Sequence, residues 1–449
     1  MFDFKQYFTH KYALLISLYS TQFMGIGFIY TAVPAILRKE NVPLDQISYV
    51  YAIGLFWTVK FFWAPLIDRY NIGGFGRYRG WIMLLQSLMV ITLLVAAVFD
   101  MPKQYSILLG IFALLAFFSS TQDIAADALN FSLLEENERG MGGAIQTAGA
   151  MLGNLIGAGL VLVFYNTIGW SGALILLSFM TSFSLFHVYF TRIKVVERCE
   201  KSIKSIEYAR LWTFFSYREN RSWLFVISIF YMGLSISYVL VNPMLVDMGW
   251  SLEKIGSVSS IFGSIFSIVG ALFVGLIVNR LGKKAAMLVA GIATLLATVG
   301  LLVPLHFYPN DWILFLAVML IFIGYGGSST VVYMGMMDNS REETAGTDFT
   351  LQFSLVFTFG FSASGISLSL AEVHGYSPVL LGGAGVSIIS LALIYFYQGF
   401  CEATAITNEQ LVEKKDHPLN KNTYGEEAEI AFNSVGVKVA SDKLSIKTP

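Results

Sequence analysis

The chain has 449 residues, of which 55% are hydrophobic and only 13% charged, and its mean hydropathy is +0.65. Soluble domains carry about 25% charged residues, so a water-facing surface cannot be assembled from this composition. A soluble enzyme, a nucleic-acid binder and a disordered scaffold are excluded; what remains is a polytopic membrane protein with a net charge of −1.

The N-terminal segment MFDFKQYFTHK leads into an apolar run too long for a signal-peptide core and without a small-residue cleavage site, so it reads as the start of a permanent span. A helix needs about 20 apolar residues to cross the hydrocarbon core. Hydropathy predicts twelve such runs, at 12–37, 47–68, 80–99, 105–134, 142–166, 170–191, 222–246, 254–279, 284–304, 312–337, 347–371 and 378–398. The alternating ten-residue segments of a strand barrel are absent. The expected fold class is therefore an all-α membrane protein with twelve transmembrane helices.

Orientation follows from the asymmetry of Lys and Arg. With the N-terminus inside, cytoplasmic segments hold 24 of the 29 basic residues, and outer loops hold Arg38, Lys39, Lys103 and Lys254. Lys60 falls inside a span. Both termini are expected in the cytoplasm. A basic stretch at 192–221, with Arg192, Lys194, Arg198, Lys201, Lys204 and Arg210, separates six spans from six. It reads either as an amphipathic helix at the anionic face or as a solvated linker. The expected organisation is a bundle over 1–191, that linker, a second bundle over 222–400, and a polar flexible tail over 401–449.

The two bundles repeat at an offset of about 206 to 211 residues. Pro34 corresponds to Pro243, PLDQI to SLEKI, and Gly140 and Gln146 to Gly346 and Gln352. Asp68-Arg69 followed by Arg77 and Arg79 has a shorter echo in Asn279-Arg280 followed by Lys283 and Lys284. Parallel six-helix repeats place a substrate site near the midplane between them, worked by alternating access.

Three segments carry a resemblance. PLIDRYNIGGFGRYRG, between the second and third spans, resembles the loop motif of the major facilitator superfamily. VKFFWAPLIDRY (59–70) and QDIAADALNFSLLEENERG (122–140) resemble the branch of muropeptide permeases and acetyl-CoA transporters. GGAIQTAGAMLGNLIGAGL (142–160) is similar to the single-protein permeases that import siderophores across the inner membrane of Gram-negative bacteria. The resemblance implies a proton-driven, multi-pass inner-membrane carrier acting as a monomer on a siderophore-like chelate. A muropeptide or another amphipathic small molecule is the alternative substrate. Its partners would be that small molecule, protons and the lipid bilayer, with no nucleic acid.

An integral membrane enzyme is the rival of a different class. HExxH and GxSxG signatures are missing, and GFSASG (360–365) is only a near miss. Cys199 and Cys401 form neither a disulfide framework nor a metal-ligand spacing, so no metal site and no cofactor are expected.

Ionisable groups inside a membrane cost about 2.5–3.5 kcal/mol each on insertion scales, so each needs a reason. Lys60 lies eight residues before Asp68, and Asp127 eight before Glu135, which places Lys60 and Asp127 at similar depth. Asp123 is one turn from Asp127 on the same helix face. Two carboxylates then face one ammonium, and the acid left uncompensated is suited to carry a proton. The plainer reading is a Lys–Asp pair that pins two helices. Asp68, Arg69, Arg77, Arg79 and Arg139 read as a cytoplasmic gate or as ordinary loop charge, and Asp348 as a gate partner or a helix N-terminal charge. Cavity candidates are Gln22, Tyr30, Gln146, Tyr231, Tyr238, Asn242, Tyr325, Tyr333 and Gln352, with interfacial anchoring or packing as the alternative for each tyrosine. Gly149, Gly153 and Gly157 at four-residue spacing predict close helix packing. Gly324, Gly326 and Gly327 predict either that or a hinge.

Overall fold

The computed structural model describes residues 10–39, 49–50, 53–73, 76, 78–101, 103–191, 209–306 and 310–397. The expectations for Arg77, for 192–208 with Cys199, and for the tail from 401 lie outside the described residues. Among the described residues there are helices and turns and no strand. The residues up to Tyr397 form one compact unit.

The first helix, α1 (His10–Gly27), passes through a π turn at Phe28–Ala32 into α2 (Val33–Lys39). The second expected span is not a continuous helix. It consists of α3 (Leu55–Val59), a 3-10 turn at Lys60–Phe62, and α4 (Ala64–Arg69). The cause is Pro65, at the start of α4: it has no N–H to continue the ladder, and Trp63 before it sits at φ −109° and ψ 0°. Then follow α5 (Arg79–Ala96), α6 (Tyr105–Leu133), α7 (Arg139–Asn154), a π turn at Leu155–Leu160, and α8 (Val161–Phe190).

The second half comprises α9 (Ala209–Ser216), α10 (Arg218–Asp247), α11 (Leu252–Gly256), α12 (Gly263–Leu281) and α13 (Lys283–Gly300). It ends with α14 (Leu302–His306), α15 (Asp311–Asp338), α16 (Ala345–His374) and α17 (Tyr376–Phe396).

Among the described residues, ten helical stretches are long and apolar enough to span a membrane, against the twelve expected of the whole chain. One of the ten, Glu136–Phe190, runs 55 residues. As straight α-helix it would be about 80 Å long, more than twice the hydrocarbon core. It is interrupted at Gly169, whose φ of 66° and ψ of −170° no helix contains. That left-handed φ carries no penalty without a Cβ. The break falls at 167–169, between the expected fifth and sixth spans. The broken second span accounts for the other difference.

Each half has its own apolar core. Phe28, Phe112 and Trp170 meet in the first, with Phe28 and Phe112 ring centroids 6.1 Å apart. Leu240, Met244, Leu301 and Val318 lie in the second. Large apolar side chains such as Phe179, Phe183 and Phe273 face outward, as a lipid-facing surface requires.

The halves meet in two seams: α7 packs on α12 and α15, and α16 packs on α3, α4 and α6. Small residues allow the close approaches. A Cβ on Gly157 would stand 1.9 Å from the Met24 carbonyl of α1, and one on Gly143 would stand 2.4 Å from the Thr330 carbonyl of α15. Gly149 and Gly153 likewise abut Tyr19 and Ser20, the close packing the spacing predicted. Gly326 abuts the Ser267 carbonyl inside an unbroken α15, so these glycines pack rather than bend the helix.

Candidate functional site: a buried charge cluster beside an aromatic cavity

Lys60, Asp123 and Asp127 are brought together, each no more than 2% exposed. The ion pair joins Lys60 to Asp123, not to the level acid Asp127. Equal eight-residue spacings assumed two unbroken helices. The three-residue 3-10 turn at Lys60 rises about 2.0 Å per residue against 1.5 Å, which shifts Lys60 towards Asp123 by about 1.5 Å of the roughly 6 Å between the two acids along α6. Gln22 of α1 donates its amide N–H to the same Asp123 carboxylate.

Asp127 is held differently. Its Oδ1 accepts hydrogen bonds from the Tyr19 hydroxyl and the Gln146 amide, each at 2.9 Å. Asn130, one turn on, donates to the Tyr19 oxygen at 3.0 Å. The other oxygen, Asp127 Oδ2, is buried with no hydrogen-bond donor from the protein. Two buried carboxylates thus share one ammonium. A buried ionised carboxylate without a partner costs several kcal/mol, so the cluster is chemically suited to hold a proton. Tyr19 was not singled out from the sequence, although it lies on the same face as Gln22, three residues away.

A cavity of about 770 Å³ lies against this cluster. Tyr30, Trp57, Thr58 and Thr147 line it from the first half, and Tyr325, Ser329, Tyr333, Phe353, Phe357 and Phe361 from the second. Of the expected cavity residues, Tyr30, Tyr325 and Tyr333 form its wall. Tyr238 stacks on Tyr325 at 4.5 Å, and Tyr231 lies 4.7 Å from Phe357, so both back the wall rather than form it. Gln22 and Gln146 are turned to the carboxylates.

Two further candidates lie elsewhere than on this wall. Asn242 accepts a 2.6 Å hydrogen bond from Ser259, away from the cavity wall. Gln352 accepts from the Trp223 indole at 2.9 Å and donates to the Met336 carbonyl at 3.0 Å, so its amide is spent bracing α10 and α15. The aromatic ladder Phe353, Phe357 and Phe361 had escaped notice, although its four-residue spacing places the rings on one helix face. Phe353 and Phe357 stack at 3.9 Å.

The expected gate separates into three groups. Asp68 of α4 accepts from the Gly346 and Thr347 N–H groups at 3.2 and 2.7 Å, from the Thr347 hydroxyl at 2.5 Å and from the Tyr78 hydroxyl at 2.9 Å. A carboxylate of one half therefore sits on the N-terminus of α16 in the other, where free N–H groups and the helix dipole favour an anion.

Arg139 pairs with Asp338 at 3.0 Å, and Lys283 reaches the other oxygen of Asp338 at 3.0 Å. Asp348 stays within its own half, gripped by Arg341 through two bonds of 2.7 Å. That hydrogen-bonded carboxylate moves the Arg341 guanidinium above its ordinary value despite partial burial. Arg79 does not join the gate. It donates to the Val188 carbonyl at 2.7 Å, and Arg69 lies 5.3 Å from the Tyr70 ring centroid. Arg341 and Asp338 were missed because nothing in a short polar loop indicates which charges cross between helices.

The family model described as Major Facilitator Superfamily matches residues 15–367. The anhydromuropeptide permease of Escherichia coli (strain K12) is 26% identical over an alignment covering 90% of this chain and 83% of that protein. A protein of Rickettsia felis named putative transporter AmpG 4 is 24% identical, over 71% of this chain and 80% of its own length. Among solved structures, the human organic anion transporter MFSD10 superposes with a TM-score of 0.68 at 14% identity, covering 86% of this chain and 99% of that one.

Proposed function

The chain belongs to the major facilitator superfamily and is a multi-pass membrane transporter rather than an enzyme; on that premise we propose that it carries an anhydromuropeptide across the bacterial inner membrane, driven by protons. The observation that carries the reading is the pairing of an aromatic-walled cavity with a buried group of two acids and one ammonium. Ring faces of tyrosine and phenylalanine suit the apolar faces of sugar rings, and about 770 Å³ is within the range of small-molecule sites. The E. coli relative's name favours the muropeptide over the siderophore that the fifth span suggested.

The working topology is twelve spans in two six-helix halves, with both termini cytoplasmic and the chain acting as a monomer. The asymmetry of Lys and Arg supports the orientation. The two seams support the repeat, since α7 meets α12 and α15 as α16 meets α3, α4 and α6. In this orientation Asp68, Arg139 and Asp338 close the cytoplasmic end, and the cavity lies towards the periplasm. Asp127 takes the proton, Asp123 and Lys60 stay paired beside it, and the two gate contacts part when the halves rock.

The test is uptake of radiolabelled anhydromuropeptide into proteoliposomes with an alkaline interior. Accumulation that a protonophore abolishes, and that a ferric siderophore does not inhibit, is the expected result. No muropeptide uptake, with accumulation of the siderophore instead, would return the substrate to the other reading.

A further inference from the structure

Phe353 belongs to both regions of the site. Its ring is part of the cavity wall, and the Lys60 ammonium lies 4.3 Å from the ring centroid. Phe357 stacks on it at 3.9 Å and Tyr333 lies nearly parallel at 6.4 Å, so the ring is fixed from its own half. Lys60 is completely buried and does not line the cavity. A contact from α16 to Lys60 also joins the second half to a charge cluster built wholly from the first.

The groups behind the ring are thirsty. Gln22 Oε1, Gln146 Oε1 and Asp127 Oδ2 are buried polar atoms without a hydrogen-bond partner from the protein. Water enters a buried space when the space is large enough and offers two to four polar partners. Lys60, Asp123 and Gln22 can supply those partners, and the apolar ring of Phe353, held against the ammonium, stands between them and the cavity.

We propose that Phe353 is a positioning residue that seals the Lys60–Asp123 pair, and Asp127 beside it, from cavity water. The inference rests on the proton-coupled reading above and assigns to one side chain the task of preventing uncoupled proton flow. Removing the ring lets water reach the carboxylates; a hydronium ion on the cavity side gives its proton to an Asp127 oxygen and leaves as water, and when the halves rock the protonated Asp127 gives that proton to a water on the other side, with no substrate bound. The titratable and charged groups around the seal are Asp123 and Asp127 on α6, Lys60 in the 3-10 turn, Tyr19 on α1 and Tyr333 on α15.

The experiment uses the full chain in proteoliposomes loaded with pyranine, given an external acid step with no substrate present. Wild type is expected to hold the gradient. Phe353→Ala is expected to acidify the lumen about thirtyfold faster, the factor that corresponds to losing one desolvated cation–π contact at about 1.36 kcal/mol per tenfold. Phe353→Leu keeps apolar volume without the ring and is expected to leak by a smaller factor. Phe353→Tyr restores the ring and the seal. Adding Asp127→Asn to either leaky variant should bring the leak back to the wild-type rate.

If Phe353→Ala does not fold, the Leu variant carries the same comparison. Variants that hold the gradient as wild type does, or a leak that persists with Asp127→Asn, would overturn the seal. Failure of the wild type to take up anhydromuropeptide would remove the substrate but leave this result standing, because the leak needs none. Gradient-driven uptake by wild type with no leak in either variant would preserve the proton-coupled reading and remove Phe353 from it.

Discussion

The two sides of the cavity come from halves with the same packing pattern and different chemistry. On the first, two hydrogen-bonded sets are buried behind the wall, Gln22 and Lys60 on Asp123, and Tyr19 and Gln146 on Asp127. On the second, Tyr325, Tyr333, Phe353 and Phe357 present rings. The contrast is sharpest at repeat-related positions, where Gln146 donates to a buried acid and Gln352 braces Trp223 and Met336. A repeat can preserve helices and seams while one half specialises in charge and the other in ring surface.

The largest expected effect breaks the charged side. Lys60→Met leaves Asp123 buried without its cation and should destabilise the protein by about 3–5 kcal/mol. Abundance in the membrane and the melting temperature in detergent read that loss. The double variant Lys60→Met with Asp123→Asn should recover most of it, because neutral replacement of a whole buried pair is often close to neutral. A double variant as unstable as the single one would show that the pair does more than balance charge.

The next effect lies on the aromatic side. Phe357→Ala removes a wall ring stacked on Phe353 and should weaken substrate affinity by about tenfold, in line with the loss of an aromatic contact and its buried area. The dependence of uptake on the pH gradient should stay. A changed gradient dependence at unchanged affinity would mean the two sides do not divide the work.

A smaller difference is expected between the repeat-related glutamines. Gln352→Leu removes the Trp223 and Met336 hydrogen bonds of a buried amide and should lower stability by about 1–3 kcal/mol without moving KM. Gln146→Leu should instead alter the pH dependence of uptake. Matching effects from both would argue that the repeat has kept a shared role at this position.

Much of this was legible in the sequence. Composition and the length of apolar runs required an all-helical membrane protein, and Lys60, Asp123 and Asp127 stood out because charge is expensive in a bilayer. Which acid would meet Lys60 was not legible. It turned on a helix break at Pro65 that changes the rise over a few residues. The direction of an amide was hidden as well: Gln22, Gln146 and Gln352 look alike on a helical face, and only packing decides whether each meets an acid or an indole. Phe353 passed unnoticed because phenylalanine is ordinary in a membrane, and its contact with Lys60 joins residues 293 positions apart.

Under the proposed function, a proton on the charged side drives a ligand held by the aromatic side. Asp127→Asn tests it most directly, assayed for pH-driven accumulation of anhydromuropeptide and for counterflow at equal pH in the same proteoliposomes. Accumulation is expected to fall to the level of empty liposomes while counterflow continues at close to the wild-type rate. Normal pH-driven accumulation in Asp127→Asn would contradict it.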